Sequence, residues 1–279
     1  VSQSSSNVDP RTVDSFGHEW SSHDQSDLSA EEKQQIFSDY FSQFPWDSLP
    51  DKSEGFDMGC GSGRWASVTA PRVGTLNCID AAAEALKVAQ RNLADMPNVR
   101  FHHATTDTAP LENGSQDFGY SLGVLHHIPD TQSALADCTR LLKPGAPFLL
   151  YLYYRFDNRP AWFRAVWKTS EVLRSGISRM PAGLKNAATD IAAASIYFPL
   201  ARGAAAAEKL GAKVESFPLA YYRDKSFLTM RTDSRDRFGT PLEQRFTRQE
   251  ITAMMTACGL ENITFSDNMP YWVAVGTKA

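Results

Sequence analysis

Between residues 30 and 44 the apolar side chains Ile36, Phe37, Tyr40, Phe41 and Phe44 recur at helical spacing, opposite Glu31, Glu32, Lys33 and Gln35. That pattern predicts an amphipathic helix, ended by Pro45. Beyond it the apolar stretches shorten and alternate in kind. Residues 55–58 read as a strand, followed by a glycine loop and a helix over 64–69. Residues 76–79 form a second strand, and 82–93 a helix with Ala85, Leu86, Ala89 and Leu93 on one face. A third strand spans 99–102. The fourth, 118–122, follows the turn-forming Asn113-Gly114-Ser115. A helix over 133–142 stops at Pro144-Gly145, and the aromatic-rich run 148–154 is the fifth strand.

This rhythm predicts an α/β fold with a parallel sheet covered on both faces, whose ligands bind beyond the carboxyl ends of the strands. The rhythm stops after Arg155. Residues 156–240 carry Trp162, Phe163, Val166 and Trp167 at helical spacing and an alanine-rich helical stretch around 182–210, so they read as a helical cap insertion. The pattern resumes at Thr247-Arg248-Gln249-Glu250, a capping box that opens a helix with Ile251, Met254 and Met255, closed by Gly259. Residues 262–266 and 271–276 flank Asp267-Asn268-Met269-Pro270 and predict a C-terminal antiparallel hairpin. The expected division is therefore 1–45 as an N-terminal arm and helix, 46–155 with 241–279 as the ligand-binding core, and 156–240 as the cap.

Composition narrows the reading. Residues 1–30 are rich in Ser, Asp and Gln and poor in apolar surface, with Phe16 and Trp20 as exceptions able to dock part of the arm. A net charge of −4 argues against a nucleic-acid partner. The four cysteines, Cys60, Cys78, Cys138 and Cys258, stand far apart with no C-x-x-C pair, so neither a zinc site nor a disulfide framework is expected. No apolar run approaches the ~20 residues of a membrane span, and the N-terminal segment has no apolar core of a signal peptide. A cytoplasmic location is the expectation.

The chemistry concentrates in Asp57-Met58-Gly59-Cys60-Gly61-Ser62-Gly63-Arg64-Trp65, where glycines after a strand let the backbone approach a ligand closely. Gly61, Gly63 and Ala66 also satisfy G-x-G-x-x-A, so a dinucleotide-binding oxidoreductase stays open at this point. Asp80 ends the second strand, where a carboxylate can accept hydrogen bonds from both hydroxyls of a ribose. The same residue can cap the helix that begins near Ala82.

Taken in order, DMGCGSGR, CIDAAAEAL, APLENGSQDFGYSLGVLHHIPD and LLKPGAPFLLY resemble the small-molecule methyltransferases of class I. The resemblance covers about 45–155 closely and the terminal hairpin loosely. It implies a Rossmann-like seven-stranded sheet and S-adenosylmethionine as cofactor. On these positions it implies that Gly59, Cys60, Gly61 and Gly63 pass beneath the methionine part, that Asp57 helps hold the ammonium, and that Asp80 and Ala81 meet the ribose. Thr105 and Thr106 stand where the family often has an acidic adenine contact. Leu122 to His126 would line the cofactor near its sulfonium. His126 and His127 are the candidate bases, since an imidazole takes a proton near neutral pH, with His126 the favoured one; the alternative is that both are structural.

Phe16-Gly17-His18-Glu19-Trp20 resembles the F-G-x-E-W signature of a bacterial subgroup in which an N-terminal segment closes over the cofactor, with Phe16 and Trp20 against it. An insertion after the fifth strand makes Tyr153, Tyr154, Arg155, Tyr221, Tyr222, Arg223 and Arg245 the substrate-side candidates. The resulting expectation is methyl transfer to an oxygen or nitrogen of a small-molecule acceptor, releasing S-adenosylhomocysteine, with no metal. A homodimer through the cap stays open. The competing readings are a dinucleotide-binding oxidoreductase and a non-catalytic module that binds S-adenosylmethionine.

Overall fold

The computed structural model describes residues 7–22, 29–214 and 217–279; the side chains of 18–22 and 182 are outside that description. Its centre is a Rossmann-like seven-stranded sheet. Five strands run parallel: β1 (Glu54–Met58), β2 (Thr75–Asp80), β3 (Val99–His103), β4 (Phe118–Leu122) and β5 (Pro147–Tyr151). The order is β3-β2-β1-β4-β5, extended by β7 (Val273–Lys278) and β6 (Leu260–Phe265), which are antiparallel. Connections leave β1 towards β2 and β3 on one side and return as β4 and β5 on the other. The strand order therefore reverses between β1 and β4, the place where such sheets open a crevice for ligands.

Most strands lie within two residues of their expected positions. β5 is the exception, ending three residues before the aromatic run does. Main-chain groups explain it: the Tyr153 N–H turns to the His126 ring, and the Tyr153 carbonyl accepts from Phe246 N–H at 2.8 Å. Those groups are then lost to the sheet. The two hairpin strands are displaced outwards from the expected spans, β6 beginning two residues earlier and β7 two residues later, so the turn between them is longer, with a register shift between Glu261 and Thr264.

Alternation along β1 divides the core. Phe56 and Met58 join Leu125, Leu135, Phe148, Leu150 and Ile251 on one face. The other face is closed by α2 (Ala30–Phe41), whose Ile36, Phe37 and Phe41 pack with Trp65, Leu76, Phe118 and Tyr120. The remaining helices around the sheet are α3 (Ala66–Thr69), α4 (Ala83–Asn92), α5 (Thr131–Arg140) and α10 (Arg248–Ala257). The expected capping box opens α10: Thr247 Oγ1 accepts from Glu250 N–H at 3.2 Å, and Glu250 Oε2 accepts from Thr247 N–H at 2.7 Å.

The polar arm contains a helix that its composition does not announce, α1 (Pro10–Ser22). Asp9 accepts from Thr12 N–H at 3.1 Å and Pro10 occupies the first turn, both favourable at a helix start.

The chain divides into two compact units: one with Val1–Ser26, Lys33–Arg155 and Leu242–Ala279, the other with Asp27–Glu32 and Phe156–Pro241. The second unit contains α6 (Ala161–Ile177), α7 (Ala182–Ala192), α8 (Phe198–Lys209) and α9 (Phe227–Gly239), and among its described residues no strand. Its small core is Tyr197, Ala201, Met230 and Phe238. Glu32 falls with this unit because it accepts from Ser226 N–H at 2.8 Å and Thr229 Oγ1 at 2.7 Å, at the start of α9.

Candidate active site

The turn after β1 is built for bare backbone. Gly59 and Gly63 have φ of +80° and +79°. A Cβ on Gly59 would lie 2.4 Å from Val124 Cγ2, and one on Gly63 2.8 Å from Leu93 Cδ1. Conformation and packing both exclude a side chain. The turn is tied to β2 by Gly59 and Cys60 N–H groups, which donate to Ile79 O at 2.8 and 3.1 Å. Asp80 completes the tie: Oδ2 accepts from Gly61 N–H at 2.9 Å and Oδ1 from Ala82 N–H at 2.8 Å. Burial raises the Asp80 carboxyl, opposed by those two N–H groups and by His103. Each oxygen retains acceptor capacity at the partly exposed rim.

Beneath the turn lies Asp57, 2% exposed, with Oδ2 lacking a hydrogen-bond partner. It sits between Cys78 and Tyr120 in the sheet register. Burial pushes its carboxyl up to about 8, against the opposing Tyr120 hydroxyl, and the Asp80 charge adds to the rise. A buried acceptor of this kind is satisfied best by a cationic donor. Cys60 and Cys78 are neighbouring buried thiols; their contact and burial push Cys60 well above the ordinary thiol range, so it is no nucleophile.

Beyond β4 the chain turns through Gly123, whose N–H donates to Tyr151 O at 3.0 Å, into the short helical turn Leu125–His127. His126 is fully buried and stacks on Tyr153 with ring centroids 3.9 Å apart. Its Nδ1 accepts from Tyr153 N–H at 3.4 Å, so the neutral ring carries its proton on Nε2. Burial, His127 and Arg245 hold its pKa well below the ordinary value. His127 has the opposite tautomer. Its Nδ1 lies 2.6 Å from Leu242 O, and since a carbonyl only accepts, Nδ1 bears the proton and Nε2 the lone pair.

Two further segments close around this turn. Gln244 N–H donates to His126 O at 3.0 Å, and Gln244 Nε2 donates to Ile128 O at 2.8 Å and Thr131 Oγ1 at 3.2 Å. Arg245 donates to Glu243 at 2.8 Å and lies 5.0 Å from the centre of the Tyr153 ring. From the other side comes the arm. Asn7 exchanges two hydrogen bonds with the Asp130 backbone, at 2.8 and 2.9 Å, and Phe16 meets the His127 ring edge-on at 5.0 Å. One residue on, Gly17 faces Ala82 at the start of α4. The arm thus spans from the β4 side of the crevice to the β2 side.

Asp57, Gly59, Cys60, Gly61, Gly63, Asp80, Ala81, Leu122, Phe16, His126 and His127 all lie at or beside the carboxyl ends of β1, β2 and β4. Trp20 belongs to α1, but its side chain is outside the described residues, as is that of Glu19.

Other sequence candidates are engaged in the scaffold. Thr106 is buried and donates to Asp137 at 3.0 Å, which turns its hydroxyl into the body. Thr105 bonds to Asp107 and, at 2.7 Å, to Thr108 within one turn. Arg155 braces α10, donating to Arg245 O at 2.8 Å and to Glu250 at 3.0 Å, while Tyr154 packs on Tyr271. In the second unit Tyr222 belongs to the core, Tyr221 lies under the Lys225 ammonium, and Arg223 pairs with Glu208. Leu242 and Gln244 were not singled out by the sequence. Leu242 acts through a main-chain carbonyl, which leaves no mark in residue type.

Residues 56–150 match the model of a methyltransferase domain. An uncharacterized methyltransferase of Mycobacterium tuberculosis is 31% identical over 127 residues, which are 46% of this chain and 62% of that protein. A ubiquinone biosynthesis O-methyltransferase of Paracidovorax citrulli is 32% identical over 108 residues, 38% of this chain and 44% of that protein. The chain thus spans less than two thirds of the length of these curated relatives. In fold, it is similar to a chain of the solved complex between the Haloferax volcanii Trm112 methyltransferase activator and a methyltransferase, with a TM-score of 0.51 at 13% identity, covering 94% of this chain and 96% of that one. The sheet order and glycine turn agree with the match over residues 56–150, so that stretch of the chain is a methyltransferase domain.

Proposed function

We propose that the protein transfers a methyl group from S-adenosylmethionine to an oxygen or nitrogen of a small-molecule acceptor, releasing S-adenosylhomocysteine. The observation that carries this reading is the glycine turn at the strand-order reversal, with an unsatisfied buried carboxylate, Asp57, directly beneath it. The residues present fit the group: Asp57 offers a partner for an ammonium, Asp80 offers lone pairs for ribose hydroxyls beside Ala81, and Gly59 to Gly63 admit the amino-acid end. When bound, the cofactor supplies a methyl group already activated on a sulfonium.

The chain's own work is positioning and proton removal. His127 is the better base of the adjacent pair. Its Nδ1–H is directed at Leu242 O, which orients the ring and leaves the Nε2 lone pair to receive the acceptor's proton. His126, protonated at Nε2 and pinned at Nδ1, shapes the turn through Tyr153. A base of this kind serves a hydroxyl acceptor, which must surrender its proton. Phe16 covers the His127 ring, and Tyr153 with Arg245 borders the same turn, so these three face the acceptor side in this reading.

The test is parallel calorimetric titration with S-adenosylmethionine, S-adenosylhomocysteine and NADH. Micromolar binding of the two sulfur compounds alone, about −8 kcal/mol, is the expected result. Binding of NADH alone overturns the proposal in favour of redox chemistry. Once the cofactor binds, transfer of label from methyl-labelled donor to a panel of hydroxyl and amine acceptors separates an enzyme from a binding module.

A further inference from the structure

Among the described residues, every exposed large apolar side chain lies between Trp162 and Phe227, in the second unit. α6 is the extreme case: seventeen residues, none of them buried. At about 100° per residue, Trp162, Val166 and Leu173 fall within about 40° of one another, and all three are more than half exposed. Arg164 and Lys168 form a separate exposed stripe, with Val172, 75% exposed, between the two, and Arg179 is exposed in the turn just past the helix. The half-buried Phe163, Trp167 and Arg174 make the inner face. An apolar stripe flanked by exposed basic residues is the pattern of a helix that lies in a membrane interface.

Charge identifies the partner. Residues 159–213 hold nine Lys and Arg against three acidic residues, a net charge of +6 in a chain whose total is −4. Each of the three acids is engaged by arginine: Glu171 with Arg174 and Arg237, Asp190 with Arg235, Glu208 with Arg223. Arg164, Lys168, Arg179, Lys209 and Lys213 remain exposed. At the end of α8 the exposed cations flank Leu210, which is 89% exposed. A second copy docked on the same patch would set this positive charge against itself, whereas an anionic bilayer receives both the apolar stripe and the cations.

We infer that the second unit docks peripherally on an anionic lipid surface, with α6 as the inserting element. No described helix is long and apolar enough to cross a membrane, so attachment is to one leaflet. The inference is independent of methyl transfer, because binding is read with no cofactor present.

The experiment is flotation of the full chain with vesicles of phosphatidylcholine alone and of phosphatidylcholine with phosphatidylglycerol, at low and high salt. The expected result is partition onto the anionic vesicles only, weakened by salt, with fluorescence quenching by brominated lipid that is lost in Trp162→Phe. Arg164→Glu with Lys168→Glu lowers partition at least ~tenfold, since each basic residue near an anionic surface contributes several-fold. Val166→Asp with Leu173→Asp abolishes insertion, and unchanged circular dichroism shows that these exposed positions do not carry the fold. Two outcomes overturn the inference. One is that the folded wild-type chain stays off both vesicle types. The other is a concentration-dependent dimer in sedimentation that Leu173→Asp dissociates, which gives the surface to a second copy.

Discussion

Asp57→Asn separates what the fold wants at this position from what the ligand wants. A carboxyl that titrates at about 8 in the folded chain and at the usual 3.8 in the open chain makes the folded state hold a proton that the unfolded state releases. Stability therefore falls as pH rises from 3.8 to about 8, and is flat above, by about 1.4 kcal/mol per pH unit. At pH 7 the penalty is about 4 kcal/mol. Asparagine is neutral at every pH and avoids it, at the cost of a buried amide with imperfect partners, about 1–3 kcal/mol. The net expectation is a variant about 2 kcal/mol more stable than wild type at pH 7, with no advantage near pH 4. Ligand binding moves the other way. An ammonium selects the ionised carboxylate, so wild-type affinity for S-adenosylmethionine rises by up to about tenfold per pH unit between pH 6 and 8, with proton uptake by the buffer, and levels off above. Asp57→Asn loses both the affinity and its pH dependence. Denaturant melts between pH 4 and 9 and calorimetry in buffers of different ionisation enthalpy read the two effects. A variant less stable than wild type at pH 8, or parallel binding profiles for the two proteins, refutes the reasoning.

The remaining expectations concern the surrounding residues. His127→Ala lowers kcat ~100-fold, whereas His126→Ala lowers thermal stability by about 2–4 kcal/mol and leaves kcat of the folded enzyme within a few-fold of wild type. Gly59→Ala destabilises by about 2–5 kcal/mol, from left-handed backbone and from the Cβ driven against Val124; adding Val124→Ala recovers the packing part and not the backbone part. Asn7→Ala removes both hydrogen bonds to Asp130, and limited proteolysis within Pro10–Ser22 accelerates about tenfold while the global melt is unchanged.

Periodicity made the sheet legible because a buried parallel strand needs a short apolar run and a helix needs a 3.6-residue stripe, and both are written in residue type. Thr247 and Glu250 announced α10 for the same reason: the side chains themselves make the cap. The arm helix was not legible. Its start depends on Asp9 and Pro10, but its seat depends on Phe16 finding His127 and Gly17 finding Ala82, contacts between segments far apart in sequence. Aromatic composition extended β5 too far, since the residues that leave the sheet at Tyr153 do so to satisfy backbone partners contributed by Phe246 and His126. For the candidate site, the glycines and Asp80 stand out by type and spacing, and the structure brings them together at the turn after β1. Thr105 and Thr106 follow β3, and their hydroxyls bond to Asp107, Thr108 and Asp137.

The histidine pair shows why the acceptor side is harder to read than the cofactor side. Two adjacent imidazoles are equivalent in a sequence, and what distinguishes them here is one main-chain donor and one main-chain acceptor. Tyr153 N–H directs itself at His126, and Leu242 O receives the proton of His127. Both groups come from segments that any residue type can supply. The same return segment anchors Gln244 to the His126 carbonyl, so the tautomer of His127, the proposed base, and the position of its loop are fixed by one stretch of chain. A substitution at Leu242 that keeps the backbone in place should therefore leave the base intact, whereas Gln244→Ala, which releases the stretch from Ile128 and Thr131, should disturb both histidines together. Nitrogen-15 chemical shifts of the two rings distinguish these cases, because the protonated and lone-pair nitrogens resonate far apart. Leu242→Ala leaving the opposite tautomers in place, with Gln244→Ala mixing them, is the outcome this geometry demands.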